Sequence, residues 1–126
     1  MDKITTRRFL SQTKKFDIQL DRIMMRRDYY KKQKYFFEFS LDDTTGIDDC
    51  IEAVSQIIND LFKNRAKIEK ALSKINDVER RFVLEKHFLH DMSTDDLAEE
   101  IGYSKRQIER IIEIGILECG EYFDCV

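Results

Sequence analysis

Four side chains within six residues, Lys105, Arg106, Gln107 and Arg110, are of the types that bond to nucleic-acid bases and phosphates. A guanidinium forks onto the two acceptors of guanine, a glutamine amide matches adenine, and an ammonium neutralises phosphate. Ser104, immediately before them, is of a type that both caps helices and touches phosphate. Such groups reach base edges only if a helix holds them outward on one face. The surrounding residues predict that helix. Ser104 followed by Gln107 has the spacing of a reciprocal N-terminal cap, and Ile108 and Ile111 supply an inner face.

The segment before it predicts a second, shorter helix packed across the first. Ser93 and Asp96 form another cap pair, with Asp in place of the usual Glu or Gln, and Leu97, Ala98 and Ile101 line one side. Ala98 is small where two helices cross closely. Gly102 falls where the chain must turn, and it takes a positive φ at little cost. Ser93 to Ile111, STDDLAEEIGYSKRQIERI, therefore reads as a helix-turn-helix whose second helix presents Ser104, Lys105, Arg106, Gln107 and Arg110.

The rest of the chain predicts long helices. Its 126 residues contain no Pro, only four Gly and 37% charged residues, a composition that suits helices and argues against a turn-rich sheet. Phe9, Phe16, Ile23, Tyr30 and Phe37 recur every seven residues, which predicts one helix from about Thr6 to Phe39. Leu41 to Asp48 reads as a loop. A second helix opening with Asp49 and Glu52 follows, with a seam of Ile51, Val54, Ile58, Leu61, Arg65, Ile68, Leu72 and Ile75. The two predicted helices should fold back as an antiparallel hairpin. Asn76 with Glu79 starts a third, carrying Val78, Phe82, Val83, Phe88 and Leu89. Two helices alone leave apolar surface exposed, so a hairpin from a second copy should complete the core and make a homodimer. The expected organisation is all-α: residues 1–75 a hairpin for oligomerisation, residues 76–126 the helix-turn-helix domain.

Charge is distributed unevenly. Residues 1–40 carry eleven Lys/Arg against five Asp/Glu, residues 41–76 five against seven, and residues 77–126 six against thirteen. The expected reading head is thus the acidic part of the chain, although phosphate neutralisation supplies most non-specific affinity for DNA. The basic run Arg22, Arg26, Arg27, Lys31, Lys32 and Lys34 is interleaved with Tyr29, Tyr30, Tyr35, Phe36 and Phe37. Arg26, Arg27, Lys31 and Lys32 are candidates for a secondary nucleic-acid contact. The alternative is that the aromatics pack the hairpin while the charges are solvated or pair with the acidic C-terminal part.

From Ala71 to Leu117, ALSKINDVERRFVLEKHFLHDMSTDDLAEEIGYSKRQIERIIEIGIL resembles region 4 of the sigma-70 family. The likeness lies in Glu-Arg before an apolar Val-Leu, a Ser-initiated helix ending in Ile-Gly, and a Ser-capped helix after it. The whole chain resembles the small phage regulators that join this module to an N-terminal helical hairpin, the late-gene activators of the ArpU and RinA type. The resemblance implies sequence-specific binding of double-stranded DNA and regulation of transcription in the cytoplasm of a bacterial host. A rival expectation is a protein-binding module that docks on RNA polymerase or inhibits a host defence protein.

Other chemistry finds little support. His87, His90, Cys119 and Cys125 match none of the usual zinc spacings, and the odd number of cysteines without a CxxC pair predicts reduced thiols. Leu41 to Glu52 places Gly46 and Glu52 as a calcium loop would, but begins with Leu where the first ligand belongs. No nucleophile motif or phosphate loop occurs, so neither an enzyme nor a cofactor is expected. No apolar run approaches the ~18 residues needed to span a bilayer, and no apolar core of a signal peptide follows Met1.

Overall fold

Asp2 caps the first helix: its carboxylate accepts from the Thr5 amide at 2.7 Å, and the Thr6 hydroxyl donates to the Asp2 carbonyl at 2.6 Å. The computed structural model describes residues 1–39 and 43–124, and among these every regular element is helical. The elements are α1 (Lys3–Ser11), α2 (Phe16–Phe39), α3 (Thr45–Ser73), α4 (Val78–Leu84), α5 (Thr94–Ile101) and α6 (Lys105–Asp124). A π-helical stretch, Glu85–Leu89, prolongs α4.

The helix expected from Thr6 to Phe39 is two helices. The Thr13 hydroxyl donates to the carbonyls of Leu10 at 2.7 Å and Phe88 at 2.8 Å, and Lys15 takes φ 61°. A side chain that competes for backbone acceptors and is held by a distant carbonyl ends the helix there. The seven-residue repeat spans this break by coincidence. Phe9 packs edge-on against Phe123 at 5.0 Å, whereas Phe16 packs edge-on against Phe62 at 5.5 Å.

Packing divides the chain into two units. One joins residues 1–15 to those from Arg65 onward; the other holds residues 16–64. The boundaries differ from the expected break at 75/76 because Leu10 of α1, Ile68 and Leu72 at the end of α3, and Ile75 just after it share one buried cluster with α4, α5 and α6. In that cluster α6 is the common partner: α1, α4 and α5 all pack on it. Two glycines permit the approach. A Cβ at Gly115 would stand 2.0 Å from Leu84 Cδ1, and one at Gly120 would stand 2.6 Å from the Met1 carbonyl oxygen. Asp77, one residue later than expected, caps α4 by accepting from the Arg80 amide at 2.9 Å. Of the apolar residues expected on this helix, Val83 and Phe88 are buried and Leu89 half-buried, whereas Val78 and Phe82 are 69% and 37% exposed; Leu84 joins the core.

His87 ties the turn after α1 to the π-helical stretch. Its Nδ1 donates to the Met92 carbonyl at 2.8 Å, which leaves Nε2 to accept from the Lys14 ammonium at 3.2 Å. Burial, with Lys14 and Arg7 nearby, holds the imidazole below its ordinary pKa despite the Met92 bond.

In the second unit α3 begins at Thr45, earlier than the expected Asp49. The Asp43 carboxylate accepts from the Thr45 amide at 3.0 Å and from its hydroxyl at 2.6 Å. Residues 41 and 42 of the expected loop lie outside the described residues. The start of α2 meets the later part of α3 through Phe16 and Phe62, and its end meets the start of α3 through Lys34 and Asp48, at 2.7 Å. The two helices therefore run in opposite directions. Of the α3 seam, Val54 and Ile58 are buried here and Ile51 and Leu61 half-buried.

Two outcomes follow from these contacts. Gly115→Ala should destabilise the fold by about 1–3 kcal/mol through overpacking, of which alanine's better helix propensity offsets at most ~1 kcal/mol. In urea titrations the cost should shrink when Leu84→Ala is present as well, because the two side chains claim the same space. The His87 shift has a defined sign. The folded chain binds that proton less readily than the unfolded chain, so stability is full above the ordinary pKa of 6.5 and declines as pH falls below it. Denaturation between pH 7.5 and 5.5 should show this loss, and His87→Gln should flatten it.

Candidate nucleic-acid interface

The first turn of α6 is held by its own residues. Gln107 Oε1 accepts from the Ser104 amide at 2.8 Å, while Ser104 Oγ accepts from the Gln107 amide at 3.2 Å. Ahead of it, Gly102 takes φ 85° and the amides of Gly102 and Tyr103 both donate to the Ala98 carbonyl, at 2.9 and 3.1 Å. Ser93 Oγ caps α5 through the Asp96 amide at 3.1 Å. Leu97 and Ile108, one from each helix, are fully buried. The Tyr103 hydroxyl donates to Glu79 at 2.7 Å and so fastens the turn to α4.

This frame leaves Ser104, Lys105, Arg106, Gln107 and Arg110 all exposed. Their availability differs. Lys105 Nζ lies 3.5 Å from Asp95 of α5, a pair so exposed that it holds the ammonium weakly. Gln107 spends its carbonyl oxygen on the cap, and only its NH₂ remains to reach a base; the bidentate adenine contact needs both groups. Ser104 is likewise committed to the cap. Arg106 and Arg110 have no ion pair among the described residues. They stand one turn apart on a stripe that continues through Glu113 and Leu117.

The acidity of residues 77–126 is offset by what packs on them. The unit formed by residues 1–15 and everything from Arg65 onward carries fifteen basic and fifteen acidic side chains. Some of that compensation is by contact. Lys3 of α1 lies 3.4 Å from Glu113, and Arg80 of α4 lies 2.9 Å from the part-buried Glu118. Arg7 borders a polar cleft of about 230 Å³ with His87, Glu109 and Glu113. The signal for this arrangement was present at Asp2 and Thr5, a cap pair that announces α1, but nothing in the spacing says where α1 docks.

On α2, Arg26, Lys31 and Lys32 are exposed, whereas Arg27 is half-buried, its Nε enclosed and without an acceptor among the described residues. Cys119 is buried, which pushes its thiol up to about 12, and His87 is occupied by Lys14 and Met92. Cys125 lies outside the described residues. Among the described residues no group of His, Cys, Asp and Glu is placed to hold a metal ion, and no helix is long and apolar enough to cross a membrane. No family model, curated protein or solved structure matches the chain.

Removing the cap should be measurable apart from any ligand. Ser104→Ala should lower stability by about 1 kcal/mol in urea denaturation, with Gln107→Ala adding less than its separate cost because the two bonds form one reciprocal pair.

Proposed function

We propose that the chain is a sequence-specific DNA-binding regulator of transcription, of the phage type that residues 71–117 resemble, acting in the cytoplasm of a bacterial host. In this reading α5 and α6 form a helix-turn-helix of the sigma-70 region 4 kind, α2 and α3 form a hairpin, and the protein works as a homodimer. The observation that carries the proposal is the pair Arg106 and Arg110, exposed and without acid partners among the described residues, at the N-terminal end of a doubly capped helix. Recognition helices use their N-terminal residues on base edges, and a guanidinium outside any ion pair needs none broken before it binds. Arg106 takes the base-reading role and Arg110 a phosphate or base. Lys105 grips phosphate, Ser104 orders the first turn and contacts phosphate, and Gln107 is left chiefly a cap with one amide donor to spare.

A second reading rests on the same helix further along. Ile114 and Leu117 are 43% and 57% exposed beside Glu113, an apolar and acidic surface of the kind that docks on a protein. RNA polymerase or a host defence protein would be the target.

Binding to sites recovered by genomic footprinting separates the two. Arg106→Ala should weaken the cognate site by ~1–3 kcal/mol and flatten preference between sites. Lys105→Ala should weaken all sites about equally and reduce the salt slope by about one. Absence of DNA retention at low salt, with stable co-purification of a host protein, would favour the second reading.

A further inference from the structure

Helix α2 carries two stripes. Its inner one, Phe16, Leu20, Ile23, Arg27, Tyr30, Lys34 and Phe37, is buried or half-buried. A second, Ile18, Arg22, Met25, Tyr29, Lys32 and Phe36, repeats at the same alternating spacing of four and three, yet every member is exposed. Met25 is 71% and Phe36 64% exposed. The stripe runs ~27 Å along the helix at 1.5 Å per residue. Tyr29, Lys32, Gln33 and Phe36, at intervals of three, four and seven, line an open groove of about 430 Å³ with Phe37. Four residues so spaced form the hole that receives a side chain from a packed helix.

The charges around this stripe say what fits it. Residues 22–34 hold six basic side chains and one acidic one, so a second α2 would be repelled. Residues 42–60 hold six acidic side chains and no basic one, and α3 exposes Asp49, Cys50, Ala53, Ile57 and Asp60. One face of this unit offers what the other requires. We propose that the outer stripe of α2 packs, antiparallel, on the exposed stripe of α3 from a second copy of the chain.

The register follows from the contacts within one copy. Lys34 meets Asp48 and Phe16 meets Phe62, two pairings whose registers differ by about one helical turn, and a two-fold axis parallel to the helices leaves every residue at its own height. Between those registers Tyr29 lies within a turn of Ala53 of the partner copy, Met25 within a turn of Ile57 of the partner copy, and Arg22 within a turn of Asp60 of the partner copy. Lys32 falls beside Asp49 and Cys50 of the partner copy. The large Tyr29 thus faces the small Ala53, Met25 meets the apolar Ile57, and both basic members of the stripe face carboxylates. Asp60 accepts from Gln56 at 3.0 Å and keeps its second oxygen for the guanidinium. The inference rests on the proposed homodimer and is independent of DNA reading.

Arg22→Glu and Asp60→Arg test it, because both positions are exposed and each change turns an attraction into a repulsion. Mass by sedimentation, with helicity checked by circular dichroism, should show a wild-type dimer and roughly tenfold weaker association for either variant. An equimolar mixture of the two variants should recover the wild-type dimer. In the mixed pair the introduced carboxylate of one chain meets the introduced guanidinium of the other, while the second contact is native. Lys32→Cys in a Cys125→Ser background should form an interchain disulfide with Cys50 on oxidation. A wild-type monomer would overturn both this surface and the homodimer. A wild-type dimer that neither variant weakens, a mixture that does not recover, or Lys32→Cys remaining monomeric on oxidation would overturn the surface alone. Lost retention on DNA by Arg22→Glu at unchanged mass would likewise overturn it and assign the stripe to nucleic acid.

Discussion

The close approach of three helices to α6 is the constraint on which the N- and C-terminal unit depends. Leu84 of α4 occupies the space a side chain at Gly115 would fill, and the Met1 carbonyl and Thr6 of α1 crowd Gly120. The remainder of that face is Ile108, Ile112, Ile116 and Cys119, all buried. Glycine inside a helix costs about 1 kcal/mol relative to alanine, and here the cost is offset by packing that a Cβ would prevent. Fixing three partners on one side of α6 also fixes its other side. Arg106 and Arg110 point to solvent because the inner face has no rotation left to give.

The same packing changes the electrostatic description of the unit. Counted along the chain, the last fifty residues are strongly acidic; counted as folded, they share a body with α1 and the end of α3 and the charges balance. Lys3 beside Glu113 and Arg80 beside Glu118 are the local form of that balance. The exposed pair, Lys3 with Glu113, contributes little to stability. Its consequence is for the field at the surface, where Lys3 mutes the acid that lies one turn from Arg110.

What was legible in the sequence was mostly local. The caps at Ser93 and Ser104 and the turn at Gly102 were readable because each is specified by residues within four positions, and each has the expected hydrogen bonds or φ. The α3 seam was readable because its three-four spacing runs from Ile51 to Leu72 with Arg65 as its one polar member. The first helix was misread for an equally physical reason. Phe9 and Phe16 keep a heptad interval across a break that is made by Thr13 reaching the Phe88 carbonyl, seventy-five residues away. No local pattern encodes that contact. Among the site residues, the types and exposure were legible, but the division of labour was not: a glutamine at the third position of a helix suits both a cap and an adenine, and the structure gives its carbonyl to the cap.

The outward face of α6 changes character along its length, and this limits how a duplex could meet it. Arg106 and Arg110 occupy the first turns, where the helix dipole is positive and favours phosphate. Glu113 and the exposed Ile114 and Leu117 follow, and they repel or fail to contact a polyanion. A helix lying lengthwise in the major groove would bring that second half against DNA. One entering by its N-terminal end would not. On the DNA-reading proposal α6 therefore enters the groove tip first, with Arg106 deepest and Lys105 toward the phosphates at the rim, and its acidic and apolar portion stays clear of the duplex. That portion is then free for a protein contact while DNA is bound, so the two readings of this helix concern different turns of it and do not compete for the same surface.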